Sequence, residues 1–306
     1  MDVILHLGAH RTGSASFQHY MRSGLTRLGA AGVGFWTPAR ETTGVCADAA
    51  LPPDAQLAGA RARLADNLDL ARARGVRQLV ISDQNVIGAP EHLLEDGCLY
   101  SGIGERMARY AEVFGGRLTR IVLSIRSQDS FWCSIAAHSV AQGHPVPAAD
   151  VLARVAARRR GWRDVITDLA CAVGGVEIQV QPFEVFGGLP EHRLAAMTGV
   201  SAPPVHHARE WLNRAPGRAE LRAMLTKRGE DPELVPEGDG RWQIFDRDQV
   251  RMLREAYADD LFWLRAGADD LARLIDETGP AKAGKHPRAG DTKRGQEDGK
   301  DDRRLA

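Results

Sequence analysis

The stretch that most constrains this chain is residues 3–18, Val3-Ile4-Leu5-His6-Leu7-Gly8-Ala9-His10-Arg11-Thr12-Gly13-Ser14-Ala15-Ser16-Phe17-Gln18. A run dominated by apolar residues, a turn bounded by two glycines and a helix-compatible segment opening on small hydroxyl residues predict a strand, a loop and a helix in direct succession. The first N–H groups of a helix have no partner inside it and lie at the positive end of its dipole. An anion answers both, so the segment is a candidate phosphate cradle. Gly8 and Gly13 permit positive φ and close backbone approach, Arg11 brings a fixed charge, and Thr12, Ser14 and Ser16 bring hydroxyl groups. The bland alternative is an ordinary strand-turn-helix connection with incidental glycines.

The spacing from Gly8 to Gly13 is that of a nucleotide P-loop, but Ser14-Ala15 stands where a Lys-Ser/Thr pair would follow. Magnesium-dependent kinase or ATPase chemistry is therefore disfavoured. The 306 residues, 43% of them hydrophobic, suffice for one large core. Forty basic and forty acidic residues cancel, so no global charge draws the chain to nucleic acid or to an anionic membrane. An anion site must be local. The four cysteines, Cys46, Cys98, Cys133 and Cys171, form no Cys-x-x-Cys pair and read as buried free thiols of a reducing compartment. With neither a leader nor a long apolar run, a cytoplasmic location is expected. The excess of Ala, Arg and Gly suggests a bacterial, GC-rich coding bias.

Further along, one amphipathic helix is expected over 16–28 and a loop over 30–53 beside the nucleotide side. A helix follows over 54–75 and a strand over 78–81 that runs into Ser82-Asp83-Gln84-Asn85. Polar residues at the carboxyl end of a parallel strand sit where open α/β sheets hold ligands; the alternative for Asp83 is that it only closes the turn. The clearest strand, 118–125, ends in Arg126. A helix then carries Ser134 two turns on, the interval that brings a hydroxyl round to the side of the guanidinium, with His138 one turn beyond. A long helix is expected over 148–172, its Arg158-Arg159-Arg160 cluster read as a solvated face. A fourth strand follows over 176–181, then Pro182-Phe183-Glu184 and a short helix to Met197.

A loop with His206, His207, Arg209, Asn213 and Arg214 enters the next helix. Two adjacent histidines point apart and no third ligand is evident, so no metal is expected. A final helical region spans 246–276, and the charged segment 279–306 reads as a disordered tail on a domain of residues 1–278. Strands separated by helices predict an α/β fold: a three-layer α/β/α domain of P-loop type with a central parallel sheet.

Gly8-Ala9-His10-Arg11-Thr12-Gly13, followed by the Arg126 and Ser134 pair, resembles the sulfotransferases that use 3′-phosphoadenosine-5′-phosphosulfate, and most of all their bacterial relatives. The resemblance implies that Gly8, Ala9, His10, Arg11, Thr12, Gly13, Ser14 and Ala15 cradle the 5′-phosphosulfate. It implies that Arg126 and Ser134 hold the 3′-phosphate, and that Asn213 and Arg214 close over the nucleotide. The loop's usual Lys is here Arg11, which keeps the charge but cannot give up a proton. Gln84 stands at the position of a Glu that would take the acceptor's proton, and an amide cannot do so. That role would fall to Asp83, His10 or His6. The acceptor would be a carbohydrate, lipid or small-molecule hydroxyl or amine. The alternative is a catalytically silent nucleotide-binding protein with a scaffolding or regulatory role.

Overall fold

The computed structural model describes residues 1–37 and 54–277. Its strands are β1 (Asp2–His6), β2 (Val33–Trp36), β3 (Gln78–Ser82), β4 (Arg120–Ile125), β5 (Glu177–Pro182) and β6 (Arg273–Leu274). The helices before β4 are α1 (Ser14–Ser23), α2 (Leu25–Ala30), α3 (Asp54–Ala73), α4 (Pro90–Asp96) and α5 (Ile103–Phe114). After β4 come α6 (Gln128–Ala141), α7 (Ala149–Ala157), α8 (Trp162–Ala172), α9 (Phe183–Phe186), α10 (Pro190–Thr198), α11 (Arg218–Arg228) and α12 (Arg247–Arg265). Every strand pairing is parallel, in the order β2-β3-β1-β4-β5-β6, and helices cover both faces. This is the three-layer α/β/α fold expected from the sequence.

Alternation along each strand decides which face a residue serves. Val3 and Leu5 of β1, Leu79 and Ile81 of β3, and Ile121, Leu123 and Ile125 of β4 join the larger core, with α3, α5, α6, α8 and α12. Ile4, Val80 and Val122 point the other way, against Phe17, Tyr20 and Met21 of α1, Leu28 of α2, and Leu194 and Met197 of α10. After β1 the chain goes to the second face and after β4 to the first. The carboxyl ends of these neighbours are thus the switch point at which open parallel sheets leave a crevice.

Several sequence expectations need correction. The segment read as a loop from residue 30 holds strand β2, a four-residue edge that pairs with β3 and is too short to show a period. The helix expected over 16–28 breaks at Gly24. The helix expected over 148–172 breaks at Arg158, whose backbone is extended (ψ 134°). There Arg160 turns inward to the carbonyls of Leu99 and Tyr100 and to Asp168, rather than lying on a solvated face. The last helix stops at Arg265 before Gly267 (φ 105°), and the chain returns as β6, where Ile275 N–H donates to the Val180 carbonyl.

The expected tail and most of the 30–53 loop lie outside the described residues. Of the cysteines expected to be buried, Cys98 and Cys133 are half-buried and Cys171 is exposed; all three are free, and Cys46 lies outside the described residues. Among the described residues no helix is long and apolar enough to cross a membrane.

Candidate anion site

The loop after β1 is held by its neighbour strand before it turns. Leu7 and Ala9 N–H donate to the carbonyls of Val122 and Ser124, each at 2.9 Å. The chain then reverses through left-handed residues Gly8 (φ 50°), Arg11 (φ 62°) and Gly13 (φ 84°). A Cβ on Gly8 would lie 2.4 Å from Ser14 Oγ, so no larger residue fits without moving that hydroxyl. Gly13 precedes α1 without a capping side chain, which leaves the first-turn N–H groups to whatever occupies the loop. The hydroxyls divide their work. Thr12 donates to the Ala9 carbonyl at 2.6 Å and closes the turn. Ser16 accepts from Leu212 N–H at 2.8 Å and ties down the late loop. Only Ser14, buried and without a partner, is uncommitted.

The separated segments meet here. Arg126 Nη1 donates to the Arg11 carbonyl at 3.0 Å. Arg11 in turn donates from Nε to Ser134 Oγ at 3.1 Å and from Nη2 to the Asn213 carbonyl at 2.6 Å. Asn213 thus contributes its main chain rather than its side chain, and Arg214 stays exposed with no bond among the described residues. The Arg126 guanidinium lies 4.5 Å from the centre of the Phe183 ring, its carbonyl accepts from Trp162 Nε1 at 2.7 Å, and its buried Nε has no partner. Burial, then the neighbouring Arg241 and Arg11 charges, lower its proton affinity to about 10, against the opposing pull of Glu184. Glu184 itself accepts from Ser127 N–H and the Tyr257 hydroxyl. Positive charge is therefore in excess over this end of the sheet.

Beneath the loop lies a residue without a motif signal. Arg193 of α10 is 1% exposed, donates from Nη2 to the Thr12 carbonyl at 3.0 Å and packs its guanidinium 5.7 Å from the Phe17 ring centre. Its Nε has no partner, and no carboxylate pairs with it among the described residues. Burial lowers its proton affinity to about 10. An unpaired buried charge is costly, and an anion in the cradle would compensate it. On the same face, polar residues replace apolar ones at the strand ends: His6, Ser82, Ser124 and Gln181, all fully buried. Gln18 Nε2 donates to Ser82 Oγ, which lies 2.9 Å from His6 Nδ1. Burial, then Arg193, hold His6 neutral well below its ordinary range.

The expected proton acceptors are largely engaged. Tyr100 Oη accepts from His10 N–H and faces His10 Nδ1, each at 2.9 Å, while His10 Nε2 faces Asn85 Oδ1 at 3.3 Å. Both ring nitrogens are thus taken in a neutral tautomer, and burial lowers the pKa to about 4. His10 anchors the loop. Asp83 accepts from Asn85 N–H and caps the turn after β3; burial raises its pKa to about 6. Gln84 accepts from Gln18 Nε2 at 3.1 Å. His138 of α6 is half-buried, and burial, then the Arg11 charge, lower its pKa.

Fold and site together define a parallel α/β protein with a cation-rich cradle at its switch point. Comparison with models of known families, with curated proteins and with solved structures gives no match.

Proposed function

We propose that the chain binds 3′-phosphoadenosine-5′-phosphosulfate and transfers its sulfuryl group to a hydroxyl or amine of a carbohydrate, lipid or small-molecule acceptor. The observation that carries this reading is the convergence of Arg126, Ser134 and the 213 carbonyl on Arg11 of the cradle. In-line transfer of this kind depends on charge compensation and positioning, by analogy with phosphoryl transfer. The acceptor oxygen or nitrogen bonds to sulfur while the bond from sulfur to the bridging oxygen of the 5′-phosphate breaks, and the acceptor's proton passes to a base. Arg11 and the open amides of α1 would balance charge on the departing 5′-phosphate. Arg126 and Ser134 would hold the 3′-phosphate. Asp83, with its raised pKa, and His138, kept neutral beside Arg11, are the candidate bases.

A specific observation favours a second reading, that of a silent nucleotide binder. Gln84 takes the acid's position and is bonded to Gln18, Asp83 is spent on a cap, and His10 has no free lone pair.

Calorimetry tests the binding step. Adenosine 3′,5′-bisphosphate is expected to bind without magnesium, and Arg126→Ala to weaken it at least tenfold, the scale of a charge-assisted hydrogen bond. No binding, or binding only of ATP with magnesium, overturns both readings. Turnover of the phosphosulfate donor across an acceptor panel then separates enzyme from silent binder.

A further inference from the structure

His19 projects from α1, and its Nε2 lies 2.6 Å from Glu210 Oε2. From the loop after α10, His207 Nδ1 lies 2.5 Å from Glu210 Oε1. No ligand adjacent in sequence completes a set with His207 and Glu210; the fold brings His19 to them from 188 residues before His207. One donor atom from each of the three residues falls within 4.8 Å of the others. His207 holds a left-handed backbone (φ 62°), and the His206 ring packs on its own at 4.1 Å between centroids. Side-chain exposures of 31, 33 and 48% for His19, His207 and Glu210 leave the cluster open to an ion from solution.

We propose that His19, His207 and Glu210 form a zinc site that joins α1 to the 203–217 loop. Two imidazoles and one carboxylate are a donor set for Zn²⁺, whereas Mg²⁺ prefers oxygen ligands and retained water. Zinc bound at about 2.0–2.1 Å from each donor places donors about 3.3 Å apart in a tetrahedron, so small side-chain rotations convert the present hydrogen bonds into coordination. Three protein ligands leave a fourth position for water or an external group. The site has a defined neighbourhood. The same loop rests its Leu212 N–H on Ser16 and its Asn213 carbonyl on Arg11, so a metal at its base fixes the segment that overhangs the cradle.

This inference stands apart from the nucleotide reading and is tested without nucleotide. Titration of the full chain with zinc chloride in a non-chelating buffer is expected to show one ion per chain and a raised melting temperature, with no shift from magnesium chloride. His19→Ala and Glu210→Gln are each expected to weaken zinc at least tenfold, with unchanged circular dichroism. Cobalt in place of zinc should give tetrahedral d–d absorption that His207→Ala removes. Absence of stoichiometric binding, or zinc affinity unchanged in both His19→Ala and His207→Ala, overturns the proposal.

Discussion

Arg193 shows how a single side chain can weigh against the fold and in favour of a site. It is fully buried, bonded to the Thr12 carbonyl and matched by no acid among the described residues. A buried charge without a counter-ion costs stability, and an apolar side chain of similar length removes that cost. Arg193→Met is expected to hold or raise the melting temperature while weakening adenosine 3′,5′-bisphosphate about tenfold by calorimetry; a variant that loses stability and keeps affinity would make Arg193 purely structural. Gly8 carries the opposite expectation. Gly8→Ala adds a methyl 2.4 Å from Ser14 Oγ at φ 50°, and should cost about 1–3 kcal/mol in urea denaturation and abolish bisphosphate binding.

At the scale of elements, the junction of β1 with α1 and the pair Arg126 and Ser134 were legible because each couples a strand end to a helix start with a fixed interval in sequence. Glycines closing a short turn and an arginine ending an apolar run are local signals. Arg193, Arg241 and His19 were not legible, since each is an ordinary polar residue whose meaning comes from a neighbour far away in sequence. Strands β2 and β6 escaped for a different reason: they span four and two residues, too few to display alternation, and their existence depends on an edge offered by β3 or β5. Ending the chain after Gly267 removes β6 and uncovers the β5 edge, an open row of backbone donors and acceptors. That truncation is expected to self-associate more strongly than the full chain in light scattering.

Across the whole molecule, acid sensitivity follows from the buried histidines and is opposed by the buried aspartates. His10 titrates near pH 4 when folded, below the ordinary 6.5, so its stabilising contribution is complete above 6.5 and fades as pH falls toward 4. Asp83 and Asp260, raised to about 6 by burial, act in the reverse sense: their contribution is present below the ordinary carboxylate range and is lost as pH rises through 6. The balance is therefore best read as a difference. Wild type should lose about 2 kcal/mol more than His10→Gln between pH 7.5 and pH 5 in urea denaturation, the integral of one such histidine. Equal losses would mean that His10 is not held neutral by its surroundings.

Trp211 stands near half exposed beside Phe183 and over Gly188, while Trp132, Trp162, Trp242 and Trp263 are buried. The molecule consequently carries its own lamp at the mouth of the cradle. Acrylamide quenches this indole before the buried four, and a purine settling beside Arg126 and Phe183 should dim the emission in step with occupancy, a signal that Trp211→Phe extinguishes.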